Sequence, residues 1–199
     1  MDDKAKSKRY FNKHSSTGLN RNGYWYRDYG KTTDILRGHD VRHLVDVGCG
    51  NGAFLAYFHQ ACPDANLCGL DYSGEMVKRS RERLTAARDL EGDEEDMPLE
   101  DSAFDGVSCH MSIHHYPHPE RALTEMHRIL EPGGLVLIND LTGPGWLIRL
   151  MNWSFKYWNA GDHAVYPQQE MEAMLKAAGF RQVESHRTTP FSYVCCGVK

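Results

Sequence analysis

The sequence has no apolar run approaching the ~18 residues that a membrane-spanning helix needs. Its longest strongly apolar stretch, Leu135-Val136-Leu137-Ile138, has the length of a buried strand. The N-terminal MDDKAKSKRY carries charge but no apolar centre, so no secretory signal is read there. The six cysteines form no CxxC that could pair with another CxxC or with an HxxxH, which argues against a structural zinc site. Cys49, Cys68, Cys109, Cys195 and Cys196 fall in or beside strand-like segments, where free cysteine serves as a small buried residue. A reduced, cytoplasmic protein is expected. Internal repeats and low-complexity tracts are absent as well. What remains is ordinary globular usage: 199 residues, 41% hydrophobic and 25% charged. A chain of this length suits one domain and buries roughly 70% of its unfolded surface without a disulfide or metal.

Charge is unevenly spread. Residues 1–40 hold nine Lys/Arg and five Asp, a balance of +4, whereas the rest of the chain sums to −8. A basic arm on an acidic body suits nucleic-acid contact, or simply a solvated N-terminal helix. This segment lacks strong periodicity and contains the turn-rich run Ser15 to Gly23.

From residue 41 onward strands and helices alternate. His43 to Val47 is strand-like, followed by glycines and a helix through Phe54 to Phe58; Asn66 to Asp71 is a second strand. Ser73 is an N-cap candidate, with Glu75 in the first turn, where the helix dipole favours negative charge. Phe104 to Cys109 forms a further strand. The helix Glu120 to Leu130 lines up Ala122, Leu123, Met126 and Ile129 at helical spacing and stops at Pro132-Gly133-Gly134. Leu135 to Asp140 is a buried strand, and Pro167 and Gly179 bracket a late helix. Strands at about 181–186 and 191–198 are joined by a turn too short for a crossover, so they pair antiparallel. The expected fold is α/β: a Rossmann-like doubly wound sheet of seven strands, mostly parallel, with an antiparallel C-terminal strand. Ligands belong at the carboxyl ends of such strands.

Gly48, Gly50 and Gly52 sit at i, i+2 and i+4 between the first strand and its helix. Backbone without Cβ atoms can turn tightly and lie against a ligand. The third glycine comes one residue earlier than in the dinucleotide fingerprint G-x-G-x-x-G, which disfavours a nicotinamide dehydrogenase, and no Lys-Ser/Thr follows as in a P-loop. Asp71 ends the second strand 19 residues after Gly52, where an acid can accept hydrogen bonds from both ribose hydroxyls.

DVGCGNG, GLDYS, EGDEEDMPLEDSAFDGV and HHYPHPERALTEMHRILEPGG, in that order, resemble the successive motifs of class I S-adenosylmethionine (SAM)-dependent methyltransferases. The branch resembled is the small-molecule "type 11" one, which includes ubiquinone and menaquinone methyltransferases. The likeness runs from about residue 41 to 141. It implies that Gly48, Gly50 and Gly52 line the methionine part of SAM and that Asp46 supports their loop through backbone donors. It implies further that Asp71 holds the ribose, Tyr72 flanks the adenine and Asp93 accepts from the adenine amino group. Glu94 would lend its amide, and His110 its carbonyl to the cofactor's ammonium. Glu91, Glu95, Asp96, Glu100 and Asp101 read as solvated. Residues 1–40 would be a lid or substrate segment and 41–199 the SAM-binding domain.

Methyl transfer from a sulfonium is an in-line displacement, so alignment supplies much of the rate, on the order of 7–11 kcal/mol in favourable cases. A base is needed only where the nucleophile must lose a proton. Four histidines fall within His110 to His118. His114 is the leading candidate for that base and His115 the second; otherwise the pair packs and hydrogen-bonds its loop. No carboxylate or thiolate in the sequence neighbourhood completes a metal set around them, so no metal is assigned. Aromatic residues gather at Tyr24-Trp25-Tyr26 with Tyr29, and at Trp146, Trp153, Phe155, Tyr157 and Trp158. They suit an aromatic or lipid-like acceptor, or the packing of inserted helices. The function expected is methyl transfer to O, N or C of a small molecule. The alternatives are an RNA or protein methyltransferase using the basic arm, and a SAM-binding protein without turnover. No contact with DNA is expected: an N/D-P-P-aromatic motif and a Pro-Cys nucleophile are both missing after the fourth strand.

Overall fold

The computed structural model describes residues 3–14, 26–157 and 161–199. Elements follow in the order α1 Asp3–His14, α2 Tyr26–Gly38, β1 His43–Val47, α3 Ala53–Ala61, β2 Asn66–Asp71, α4 Gly74–Arg83 and β3 Ala87–Glu91. Then come β4 Phe104–His110, a 3-10 turn Ile113–His115, α5 Pro119–Ile129, β5 Leu130–Leu141, α6 Gly145–Ser154, a 3-10 turn Phe155–Tyr157, α7 Gln168–Ala177, β6 Arg181–Thr189 and β7 Ser192–Val198.

The seven strands form one sheet in the order β3-β2-β1-β4-β5-β7-β6. β7 runs antiparallel to both β5 and β6, while the other pairs are parallel. Alternation along the strands splits the core between the two faces. Val45, Val47, Val136, Ile138, Tyr193 and Cys195 pack with α5 and α7. Leu44, Leu135, Leu137, Val194 and Cys196 pack on the other face with Leu36 of α2 and Phe54, Leu55 and Phe58 of α3. All six cysteines are free, five of them buried.

The strand order reverses between β1 and β4, and this opens the crevice where doubly wound sheets bind ligands. Local chemistry sets the flanking pieces. Ser73 caps α4 by accepting from Met76 N at 3.3 Å. Pro119 starts α5 in the first turn, where its missing N–H costs nothing.

Several elements depart from the expectation. α1 is the N-terminal helix but docks on the body instead of standing in solvent, α2 forms although residues 1–40 lack a clear period, and α6 forms beyond the buried strand. β3 is an edge strand whose one buried residue is the polar Asp89, with Leu90 only partly covered, so it leaves little periodic apolar signal. β5 begins at Leu130 rather than Leu135, its opening residues pairing with β4 through a register shift. The run 15–23, Tyr24, Trp25 and Trp158 lie outside the described residues. No helix among the described residues is long and apolar enough to cross a membrane.

Candidate active site

A cavity of about 290 Å³ opens at the carboxyl ends of β1, β2 and β4. Its wall includes Asp46, Gly48, Gly50, Asp71, Tyr72, Glu94, His110, His114 and His115, all singled out in the sequence. Ser7, Lys8 and Phe11 of α1 and Tyr29 of α2 complete it.

The loop after β1 is held by the end of β2. Gly48 N and Cys49 N both donate to Leu70 O, at 2.8 and 3.0 Å. Gly50 N donates to Asp71 Oδ2 and Ser73 N to Asp71 Oδ1, both at 2.8 Å. Burial pushes the Asp71 carboxyl up to about 6, against the pull of these two amides. Asp46, expected to support the loop through backbone donors, does something else. Its register partner on β4 is Ser108, so the two side chains share a face, and Ser108 Oγ donates to Asp46 Oδ1 at 2.7 Å. Buried beneath the cavity, Asp46 is pushed up to about 8.

Two other residues named from the sequence stand outside this wall. Gly52 is not in the wall; a Cβ there would stand 2.2 Å from Ser80 Oγ, so its bareness serves the packing of α4. Asp93 is not in the wall either. Its carboxylate accepts from Glu95 N at 2.8 Å and pairs with the Lys4 ammonium, because the turn closed between Asp93 and Asp96 aims it at its own loop and at α1. Glu94 faces the cavity instead, 8% exposed, and burial raises its carboxyl to about 8. Glu95 and Glu91, expected to be solvated, take ion pairs from Lys4 at 3.0 Å and Lys8 at 2.6 Å. Both ammonium groups also face the ring of Tyr72, at 5.8 and 4.9 Å. The basic arm is thus folded onto the acidic body.

His110 stacks on Phe54 with centroids 3.8 Å apart and meets Tyr29 edge-on, and burial drives its ring down to about 3. His114 is held differently. Its ring Nδ1 lies 2.6 Å from Asp140 Oδ1, and its backbone N donates to Asp140 Oδ2 at 3.1 Å. A carboxylate can only accept, so Nδ1 carries a proton, and in the neutral ring Nε2 holds the lone pair. Burial alone would lower this histidine, but the charge and hydrogen bond of Asp140, with Asp162 beyond, hold it above its ordinary value. His115 is lowered well below by burial and by the neighbouring His114. Asp162 Oδ1 stands 3.8 Å from His114 Nε2 and 3.2 Å from His115 Nδ1. The sequence reading missed Asp140 as a partner and Asp162 altogether; the HH pair signalled only that something would have to face it.

Residues 45–138 match a family model described as a methyltransferase domain. Over this segment the chain is similar to the type 11 branch of the class I SAM-dependent methyltransferases. Malonyl-[acyl-carrier protein] O-methyltransferase from Pectobacterium atrosepticum is 38% identical over 107 residues, 54% of this chain and 42% of that protein. Demethylmenaquinone methyltransferase from Symbiobacterium thermophilum is 31% identical over 142 residues, 67% of this chain and 55% of that protein. The chain therefore spans about half the length of these curated relatives. Among solved structures, a chain of the complex between the Haloferax volcanii Trm112 methyltransferase activator and a methyltransferase superposes with a TM-score of 0.77. At 21% identity, with 94% of this chain and 96% of that chain covered, it shows the same fold.

Proposed function

We propose that this protein transfers a methyl group from SAM to a small-molecule acceptor bound beside His114. One arrangement carries the reading: the Gly50 amide braced by Asp71 and the His114–Asp140 pair open on one cavity at the topological switch. The residues fit the cofactor. A Cβ on Gly50 would meet nothing within 4 Å, so the loop backbone leaves room for a ligand to lie against it. Each Asp71 oxygen accepts one backbone donor and keeps capacity for a ribose hydroxyl. His110, Phe54 and Tyr72 provide the flat surfaces, and Glu94 a buried polar contact, that an adenosyl group would meet.

SAM supplies an electrophilic methyl carried on a sulfonium. The chain's work is to align the acceptor, exclude water and receive its proton. Helix α1, tied by Lys4 and Lys8 to the Glu91–Glu95 loop and by Asn12 to Ser73, covers the mouth with Ser7 and Phe11 and acts as the lid. His114 Nε2 takes the proton of an acceptor hydroxyl, while Asp140 fixes its tautomer and steadies the imidazolium that forms. His115 orients beside it, ring centroids 4.1 Å apart. The relatives named for malonyl-[acyl-carrier protein] and for demethylmenaquinone support an acyl or quinone-like acceptor. The RNA reading is not favoured, because Lys4 and Lys8 of the arm are spent within the chain.

The test is a screen of metabolite fractions with methyl-labelled SAM and the full chain. Label should appear in a small-molecule fraction and fall by about 10²–10⁴-fold in His114→Ala if the acceptor is a hydroxyl. Label confined to RNA or protein, or no binding of SAM by calorimetry, would refute the proposal.

A further inference from the structure

We infer that His114, His115 and Asp162 form a binding site for a divalent transition metal of the zinc class at the acceptor end of the cavity. One ligand atom from each of the three lies within 4.8 Å of the others. Ligands around a tetrahedral zinc, at about 2.0–2.1 Å for nitrogen and 2.0–2.2 Å for oxygen, stand about 3.4 Å apart. The two measured contacts to Asp162 Oδ1, 3.2 Å from His115 Nδ1 and 3.8 Å from His114 Nε2, bracket that spacing. The 3.2 Å contact lacks hydrogen-bond geometry, and His115 Nδ1 is buried without a hydrogen-bond partner.

The surroundings fit the same reading. Asp140 accepts from His114 Nδ1, the outer carboxylate contact that orients a ligating histidine and leaves its other nitrogen for a metal. The loop bearing Asp162 is fixed over the pair, since His163 N and Ala164 N both donate to His114 O, at 2.7 and 3.1 Å. Two carboxylates, Asp140 and Asp162, thus flank the two imidazoles. Lys8, the one Lys or Arg in the described cavity wall, is paired with Glu91, so the cluster is short of positive charge. Three protein ligands leave a coordination position open, as in zinc sites that bind a further small molecule. Nitrogen and oxygen donors of this kind take zinc, cobalt or nickel in preference to magnesium or calcium.

A metal on His114 Nε2 occupies the lone pair that would take a proton. Metal binding and proton acceptance at His114 are then mutually exclusive, and Zn²⁺ inhibits transfer. That consequence rests on the proposed function; the binding does not.

The full chain, stripped with a chelator, is titrated with Zn²⁺ in a calorimeter and its bound metal counted after dialysis. The expected result is one saturable Zn²⁺ per chain, weakened about 10- to 100-fold in Asp162→Asn and in His115→Gln. In the unaltered chain, Zn²⁺ should shield His114 and His115 from diethyl pyrocarbonate, mapped by mass spectrometry, which answers the question even where a variant fails to fold. No saturable site, equal affinity in both folded variants, or protection confined to other histidines would overturn the inference. Zinc bound without methyl transfer to any acceptor would sink the proposed function alone; transfer without zinc binding would sink the inference alone.

Discussion

Replacing Gly50 and Gly52 by alanine, one at a time, separates ligand contact from packing within a single loop. Both have left-handed backbone, φ 53° and 71°, so each alanine costs about 1–2 kcal/mol in the folded state. There the likeness ends. A Cβ on Gly50 meets nothing within 4 Å, and Gly50 belongs to the cavity wall. A Cβ on Gly52 stands 2.2 Å from Ser80 Oγ and 3.1 Å from Ser80 Cα, so backbone as well as side chain must shift. Overpacking of that kind adds about 1–3 kcal/mol. Gly52→Ala should therefore lose about 2–5 kcal/mol and Gly50→Ala only about 1–2. At about 2–4 °C per kcal/mol for a chain of this size, melting falls by roughly 4–20 °C and 2–8 °C respectively. Affinity for SAM should run the other way. A methyl on Gly50 intrudes where the ligand lies and costs about 1–3 kcal/mol, roughly 5- to 150-fold in Kd, whereas Gly52→Ala below its melting point binds within a few-fold of the parent. Thermal unfolding and calorimetry on the same samples provide both numbers. Full affinity in Gly50→Ala, or lost affinity with unchanged melting in Gly52→Ala, would refute the division of labour.

Asp71→Ala removes the acceptor of the Gly50 amide and should weaken SAM binding by about 1.5–3 kcal/mol, the scale of hydrogen bonds to a charged group; unchanged calorimetric affinity would count against it. Since burial raises Asp71 to about 6, SAM affinity should also climb as pH rises through that value and level off above it. Asp140→Asn should move the rising limb of the pH–rate profile to lower pH, because the charge holding His114 above its ordinary value is gone and the base becomes neutral sooner; an unmoved limb would remove His114 from the proton path. Asp46, raised to about 8, favours folding while protonated and loses that advantage as pH rises from about 4 through 8. Asp46→Asn should accordingly raise the melting temperature at pH 9 relative to the parent more than at pH 5, and an equal difference at both would contradict the burial argument.

Much of this was readable along the chain. The strands His43–Val47 and Asn66–Asp71, the Ser73 cap and the Pro119 helix depend on alternation, capping and turn chemistry within a few positions. The docking of helix α1 was not readable, because what holds it is a set of ion pairs to an acidic loop more than eighty residues away. Where the carboxyls of Asp46 and Asp93 point was not readable for a related reason: motif order places a residue near a site, but the register with Ser108 and the turn at Asp93–Asp96 decide the orientation.

The amino-acid order alone settled the doubly wound topology, the bare loop after β1 and the acid that closes β2, since each follows from local periodicity and from residues that tolerate only certain backbone. The surroundings of His114 required folding. Asp140 arrives at the end of a neighbouring strand and Asp162 on a later loop tied to the His114 carbonyl. Whether an imidazole takes a proton or a metal depends on which charges stand within a few ångströms of it, and contacts between distant parts of the chain leave no periodic trace in the order of residues.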